Sequence, residues 1–435
     1  MRVIAAVLAV FMLCSCSNLQ FGVNELLSPP RLSQQQSEIY DAIELAVGTD
    51  AFKLKYPRRG ENLSACVFND LDNDGTQEAV VFYELTVNGV TSSWMSVLNQ
   101  NGGKWKSRHQ IPGSGGEIDF IDFAPVEQSG VNNIIVGWNP SGQEGLICNV
   151  YSYSESGVAL SYQGNYDEVL IVDVDSNDLD ELLLCTKNGS KGAVMSLAKY
   201  RFGRIVKTSE VEMPTAMTEY EKLTFGKLTN GLSAVFADVY LGDEQMTTCI
   251  AAVDTENSII EELNGEDIGI FESFERPVPT LCSSDVNGDG LIDIPVSTLL
   301  PGYDNKREQQ PLYLTEYKTI KNGELITVAG YIVNFAAGYQ FKMPYEWGDR
   351  VTVKTHSETN EWSFVIFNSS LHESTAELLR IKVVSPSDYQ DKLETAKYQT
   401  IAQKGVNSYQ MYVPKASYPG YSISENYAAE LLELL

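Results

Sequence analysis

Apolar side chains recur at helical spacing near the start of the chain: Ile39, Ala42, Ile43 and Ala46 fall on one face. Ser33 and Gln36 stand three apart ahead of them, the arrangement of a capping box, and Gly48 supplies a stop. The pattern predicts one amphipathic helix over about 33–47, packed on the rest of the body. From about residue 50 to 335 the texture is that of β-strands. Short apolar or alternating runs are separated by glycine turns such as Asn101-Gly102-Gly103, Glu155-Ser156-Gly157, Lys187-Asn188-Gly189 and Lys321-Asn322-Gly323. The first group of runs gives strands at Ala65–Phe68, Ala79–Leu85, Trp94–Leu98 and Lys104–Gln110. Beyond about 336 the pattern predicts strands at 338–344, 350–356, 362–367 and 377–384. A helix across 388–397 capped by Ser387, two strands across 398–413, and a helix from about 423 complete the chain.

One polar stretch recurs between these runs. Asp70-Leu-Asp-Asn-Asp-Gly-Thr-Gln-Glu78 returns as Asp173-Val-Asp-Ser-Asn-Asp-Leu-Asp-Glu181 and as Asp285-Val-Asn-Gly-Asp-Gly-Leu-Ile-Asp293. Each copy sets side-chain oxygens at its first, third, fifth and ninth places and runs into an apolar strand. The steps of 103 and 112 residues are long for one four-stranded antiparallel unit and about right for two. A worn copy lies in each gap. Gln128-Ser-Gly130-Val-Asn-Asn-Ile-Ile-Val136 and Leu228-Thr-Asn-Gly231-Leu-Ser-Ala-Val-Phe236 keep the glycine turn and the strand after it. Aligned on their glycines these copies begin at Pro125 and Gly226, so five units begin at 70, 125, 173, 226 and 285. On this alignment the two worn copies lack the acids and are expected to hold no ion.

A four-stranded unit of about 50 residues is the size of a propeller blade, and one such sheet cannot bury both of its faces alone. The Asp-x-Asp-x-Asp-Gly-x-x-acid loop at blade spacing resembles the FG-GAP/VCBS-type repeat of integrin-like β-propellers. The resemblance implies that the loop joins the first two strands of a blade and binds calcium. The fold expected is therefore mainly β: a β-propeller of about five four-stranded blades, with an N-terminal helix and a small C-terminal α+β domain. The order Gly338-Tyr-Gln-Phe-Lys-Met-Pro344, Trp347, then Trp362-Ser-Phe364 resembles the domain behind such repeats in clostridial lipoproteins, with a PsbP-like character.

Calcium takes six to eight oxygens from carboxylates and carbonyls, with a turn that curls the chain around the ion. The expected ligands of the first loop are Asp70, Asp72, Asp74 and Glu78, with the Thr76 carbonyl and the turn at Gly75. Those of the second acidic loop are Asp173, Asp175, Asn177 and Glu181, with the Leu179 carbonyl. There Asp178 stands at the turn, a residue that visits left-handed backbone more readily than most. Those of the third are Asp285, Asn287, Asp289 and Asp293, with the Leu291 carbonyl and Gly290. An EF-hand would carry a bidentate Glu at the twelfth place, where Val81, Leu184 and Val296 stand. Metal-free Asx turns are the alternative. The ion expected, Ca2+, has a structural role, since four clustered oxygens repel one another without it.

The N-terminus changes the cellular address. Arg2 precedes a short apolar run, Val3 to Leu13, that is too short to span a membrane as a mature helix. It ends in Leu13-Cys14-Ser15-Cys16, which resembles the bacterial lipobox and implies lipidation at Cys16; a plain secretory signal cleaved nearby is the alternative. The organisation expected is a signal peptide at 1–15, tether and helix at 16–49, the propeller at 50–335 and the α+β domain at 336–435. The protein would sit lipid-anchored on the extracellular face of the cell membrane. The five cysteines of the body, Cys66, Cys148, Cys185, Cys249 and Cys282, lie in apolar runs without a Cys-x-x-Cys, and read as buried small hydrophobes.

A net charge of −27 over 435 residues repels phosphates, which argues against a nucleic-acid partner and against an anionic lipid surface for the body. No frame for a catalytic triad, a zinc protease, a phosphate loop or a dinucleotide fold occurs, and the three histidines stand apart. The function expected is a binding module for a protein or carbohydrate at the cell surface. Its rivals are a carbohydrate-active propeller enzyme, with Trp94 or Trp138 at a sugar site, and a structural envelope component.

Overall fold

The computed structural model describes residues 34–48, 52–140, 142, 145–154, 156–189, 192–214, 216–228, 231–256, 259–262, 274–303, 310–321, 323–385 and 398–435. The expected signal segment, the tether, Cys16, the cap residue Ser33 and the helix at 388–397 lie outside the described residues. The chain is mainly β, in six antiparallel sheets of four or five strands, and divides into two compact units.

The first unit comprises residues 1–70 and 74–113. Helix α1, Gln34–Val47, ends at Gly48, whose φ of +75° is the left-handed stop its sequence called for. Ile39 and Ile43 bury their side chains among Phe52, Val81, Tyr83, Leu98 and Trp105 of the first sheet. Each such burial contributes about 1.5–3 kcal/mol. In that sheet Phe52–Leu54 and Cys66–Asn69 pair in succession along one edge of Glu78–Val87, which is followed by Val90–Asn101 and Lys104–Pro112. Asn88 and Gly89 both have positive φ, the type I′ geometry that an Asn-Gly hairpin favours.

The second unit, residues 71–73 and 114–435, holds the other five sheets. The second sheet runs Glu117–Gln128, Val131–Asn139, Leu146–Ser154, Gly157–Tyr166. The third runs Glu168–Val172, Glu181–Gly189, Gly192–Arg201, Arg204–Glu212. The fourth runs Glu219–Lys227, Ser233–Tyr240, Gln245–Asp254, with Ile259–Glu262 and Arg276–Pro277 sharing its last edge. The fifth runs Ile294–Leu299, Tyr313–Lys321, Glu324–Asn334, Tyr339–Lys342, and takes the chain's last strand, Leu432–Leu434, at its edge. The sixth has the order Val351–His356, Glu361–Ile366, Glu377–Val384, Asn407–Tyr412, Gln399–Lys404.

The strand after each of the first four repeat loops is apolar on both faces because both faces are covered, whereas Ile294–Leu299, after the fifth, is buried only at its start. Ile134, Ile135 and Val136 are buried in succession, as are Leu182 to Cys185 and Ala234 to Ala237. Within this unit each sheet shares a core with the next. Val126, Ile135 and Val150 cluster with Leu182, Leu184 and Ala198. Leu183, Cys185 and Leu197 cluster with Leu223, Val235 and Ala251. Phe236 and Ile250 cluster with Ile294 and Ile320, and Tyr339 and Phe341 with Phe364 and Ile381.

Three expectations change. The strand Glu181–Gly189 continues through the expected Lys187–Gly189 turn; a register shift between Thr186 and Gly189 absorbs it, and Gly189 pairs with Gly192. The expected C-terminal helix is one short segment, α2, Glu425–Glu430, capped by Ser424, and the chain leaves it as a strand. The hairpin of Glu324–Asn334 and Tyr339–Lys342 also straddles residue 335, so the fifth sheet draws two strands from the region expected to be a separate domain.

Candidate metal loops

Four of the five repeat positions fall where two strands of one sheet meet. The fifth, 285–293, lies between Arg276–Pro277 of the fourth sheet and Ile294–Leu299 of the fifth, closed by a single bridge of Ser284 with Asp293. All five sixth places share one backbone state. Gly75, Gly130, Asp178, Gly231 and Gly290 have φ of +88°, +75°, +65°, +79° and +84°. Asp178 therefore takes the left-handed turn expected of it. In the three acidic loops the fourth place is left-handed too, at Asn73, Ser176 and Gly288, which the sequence spacing did not reveal because Ser carries no such signature.

The first-place Asp organises each acidic loop. One Asp70 oxygen accepts from Asp74 N at 3.1 Å and the other from Gly75 N at 2.9 Å. Asp173 does the same with Asn177 N and Asp178 N, and Asp285 with Asp289 N and Gly290 N. Loop amides, Gly290 N–H foremost, hold Asp285 below the usual carboxylate range. The fifth-place side chain caps the seventh N–H: Asp74 accepts from Thr76 N, Asn177 from Leu179 N, Asp289 from Leu291 N. One oxygen at the fifth place is thus spent on the loop's own backbone.

The ninth-place acid is buried: Glu78 is 3% exposed, Glu181 1% and Asp293 0%. It accepts from the second-place N–H, Val174 N to Glu181 at 3.0 Å and Val286 N to Asp293 at 3.2 Å. Burial pushes Glu181 up to about 7 and Asp293 up to about 6. In two loops the first, third and ninth carboxylates converge, Asp70 with Asp72 and Glu78, and Asp173 with Asp175 and Glu181, oxygens within 4.8 Å of one another. In the third acidic loop Asn287 takes the third place. There the second oxygen of Asp293 is buried without a hydrogen-bond partner. A hard cation fits that donor set, since it would give the orphaned oxygen the positive partner that burial denies it.

The worn copies differ from expectation in one respect. The second unit retains an acid, Glu127, at its third place. Asn133, at the ninth, accepts from Val126 N and Glu127 N at 3.1 Å and donates its Nδ2 to Glu127 at 2.8 Å. Ser152 Oγ donates to the same carboxylate. In the third unit Lys199 enters the acidic loop, its Nζ 2.5 Å from Asp175 and 3.6 Å from Glu181. Sequence reading passed over it, although a Lys inside the run Val194-Met-Ser-Leu-Ala-Lys199 was a signal.

Trp138 is fully buried and Trp94 half-buried with its Nε1 on Ser92, so both pack within their sheets. Cys148 and Cys185 are buried, the other three body cysteines half-buried, and all five are free thiols. Burial pushes Cys66, Cys148 and Cys282 up to about 12, which leaves little thiolate at neutral pH. Among the described residues no helix is long and apolar enough to cross a membrane. Compared with known protein families and with curated proteins, the chain matches none.

Proposed function

We propose that the protein is a calcium-stabilised repeat module of β-propeller type, held at the extracellular face of the membrane by a lipid on Cys16, which binds a protein or carbohydrate at the cell surface. The observation that carries the reading is the shared loop: five left-handed sixth places, three first-place aspartates with the same amide partners, and a buried ninth-place acid. In the first four sheets such a loop joins two strands of one sheet, and at 285–293 it leads from the fourth sheet into the fifth. Asp70, Asp72 and Glu78 would hold one ion, and Asp285, Asn287 and Asp293 another. Calcium would supply charge neutralisation there and no chemistry. The sheets from Phe52 to Lys342 are read as blades because the second strand of each of the first four is apolar on both faces and successive sheets from 114 onward share cores.

Melting the purified chain in calcium and in EDTA tests the metal. A bound ion at 100 times its Kd adds about 2.7 kcal/mol per site, so chelation lowers Tm, and an unchanged melt removes calcium from the reading. A glycan array and a crosslinking pull-down at the cell surface test the binding role; hydrolase or lyase turnover by the pure protein overturns it. Cys16→Ser moves the protein from the membrane fraction to the medium, and retention refutes the anchor.

A further inference from the structure

The acidic loop at 173–181 already contains a cation. Pairing of Leu182 with Ala198 puts Glu181 opposite Lys199 one step further along. Lys199 is 7% exposed, and its ammonium reaches Asp175 at 2.5 Å and Glu181 at 3.6 Å. These are two of the three carboxylates that converge there. A divalent ion at that point needs the same oxygens and would meet a fixed positive charge beside them. The donor set of this loop therefore does not fit calcium.

The equivalent positions elsewhere are neutral. Pairing of Ala79 with Leu98 puts Asn99 opposite Glu78, and pairing of Ile294 with Lys318 puts Thr319 opposite Asp293. Among the described residues no Lys or Arg forms an ion pair with Asp285, Asp289 or Asp293. In the second unit the cross-strand residue is Ser152, which with Asn133 donates to the third-place Glu127. The same point of the repeat thus receives an ammonium in one sheet and neutral donors in another.

We propose that Lys199 is the built-in cation of the 173–181 loop, which folds without a divalent ion and confines calcium to the loops at 70–78 and 285–293. The proposal rests on the reading that those two loops take calcium. Its consequence is graded: falling calcium loosens the first and fifth sheets and spares the second and third.

Native mass spectrometry of the full-length chain in calcium chloride counts the ions. The wild type is expected to carry two, Asp70→Asn and Asp285→Asn one each, Asp173→Asn still two, and Lys199→Met three. Three ions on the wild type, or loss of one on Asp173→Asn, overturns the proposal even if Lys199→Met does not fold. An unchanged count on folded Lys199→Met also overturns it. A wild type without calcium removes the reading of the other two loops instead. In that case one ion gained by Lys199→Met supports the fixed cation, and none overturns it.

Discussion

The loops at 173–181 and 285–293 have the same backbone and opposite answers to the same electrostatic problem. Both bury a ninth-place carboxylate under a second-place amide. Both turn through left-handed residues at their fourth and sixth places. In the first, a lysine on the neighbouring strand neutralises the cluster from within. In the second, one Asp293 oxygen is buried without a partner. The segment leading into that loop is held by a buried ion pair: Arg276 donates to Asp238 at 2.6 Å, both are fully buried, and Asp238 accepts from Ser283 N at 2.7 Å. On the proposed reading, a repeat keeps its loop backbone while exchanging a diffusible cation for a covalent one. What differs is the dependence on the medium.

The largest expected effect removes the buried pair that leads into the 285–293 loop. Arg276→Met leaves Asp238 charged and enclosed, which costs about 3–5 kcal/mol. Urea unfolding should show it with and without calcium, because no loop oxygen is touched. Adding Asp238→Asn recovers part of the loss, since the uncompensated charge is gone. The next effect breaks the comparison at its other end. Lys199→Met in EDTA costs about 3 kcal/mol by the same logic. Calcium should restore much of that loss and leave the Arg276→Met loss unchanged. A Lys199→Met loss, relative to the wild type, that is equal in calcium and in EDTA would separate the two loops for a reason other than the cation.

The pattern of strands, the repeat spacing and the left-handed state at Asp178 were legible because each rests on local chemistry. Alternation, glycine turns and Asx residues act over a few positions. Lys199 was not legible in that way. It lies 24 residues from Asp175, and only the register of Leu182 with Ala198 brings it to the loop. The retained acid Glu127 was passed over because alignment on Gly130 drew attention to the missing first and ninth acids. Its neutral partners, Asn133 and Ser152, again come from a turn and a neighbouring strand. The last strand, Leu432–Leu434, reads as a continuation of a helix. The tertiary partner Tyr339–Phe341 decides otherwise, a case of pairing overriding local propensity.

The smallest effect concerns the turn that both loops share. Gly290 sits at φ +84° with nothing within 4 Å of an added Cβ, so Gly290→Ala meets no neighbour. Its cost is conformational alone, about 1–2 kcal/mol for an L-residue held left-handed. Asp178, at φ +65°, already bears the residual strain of a non-glycine residue there. Asp178→Gly relieves that strain but makes the unfolded chain more flexible, which by itself costs about 0.4–1 kcal/mol. The two terms oppose, so its net change should be smaller than that of Gly290→Ala. Thermal melts of the two variants in calcium check the order. Because the 285–293 turn also carries the amide that holds Asp285, Gly290→Ala should weaken calcium binding as well, whereas Asp178→Gly leaves the ion count of the wild type intact. An equal loss in both variants would mean that the turn, rather than the cation beside it, governs how the loops differ.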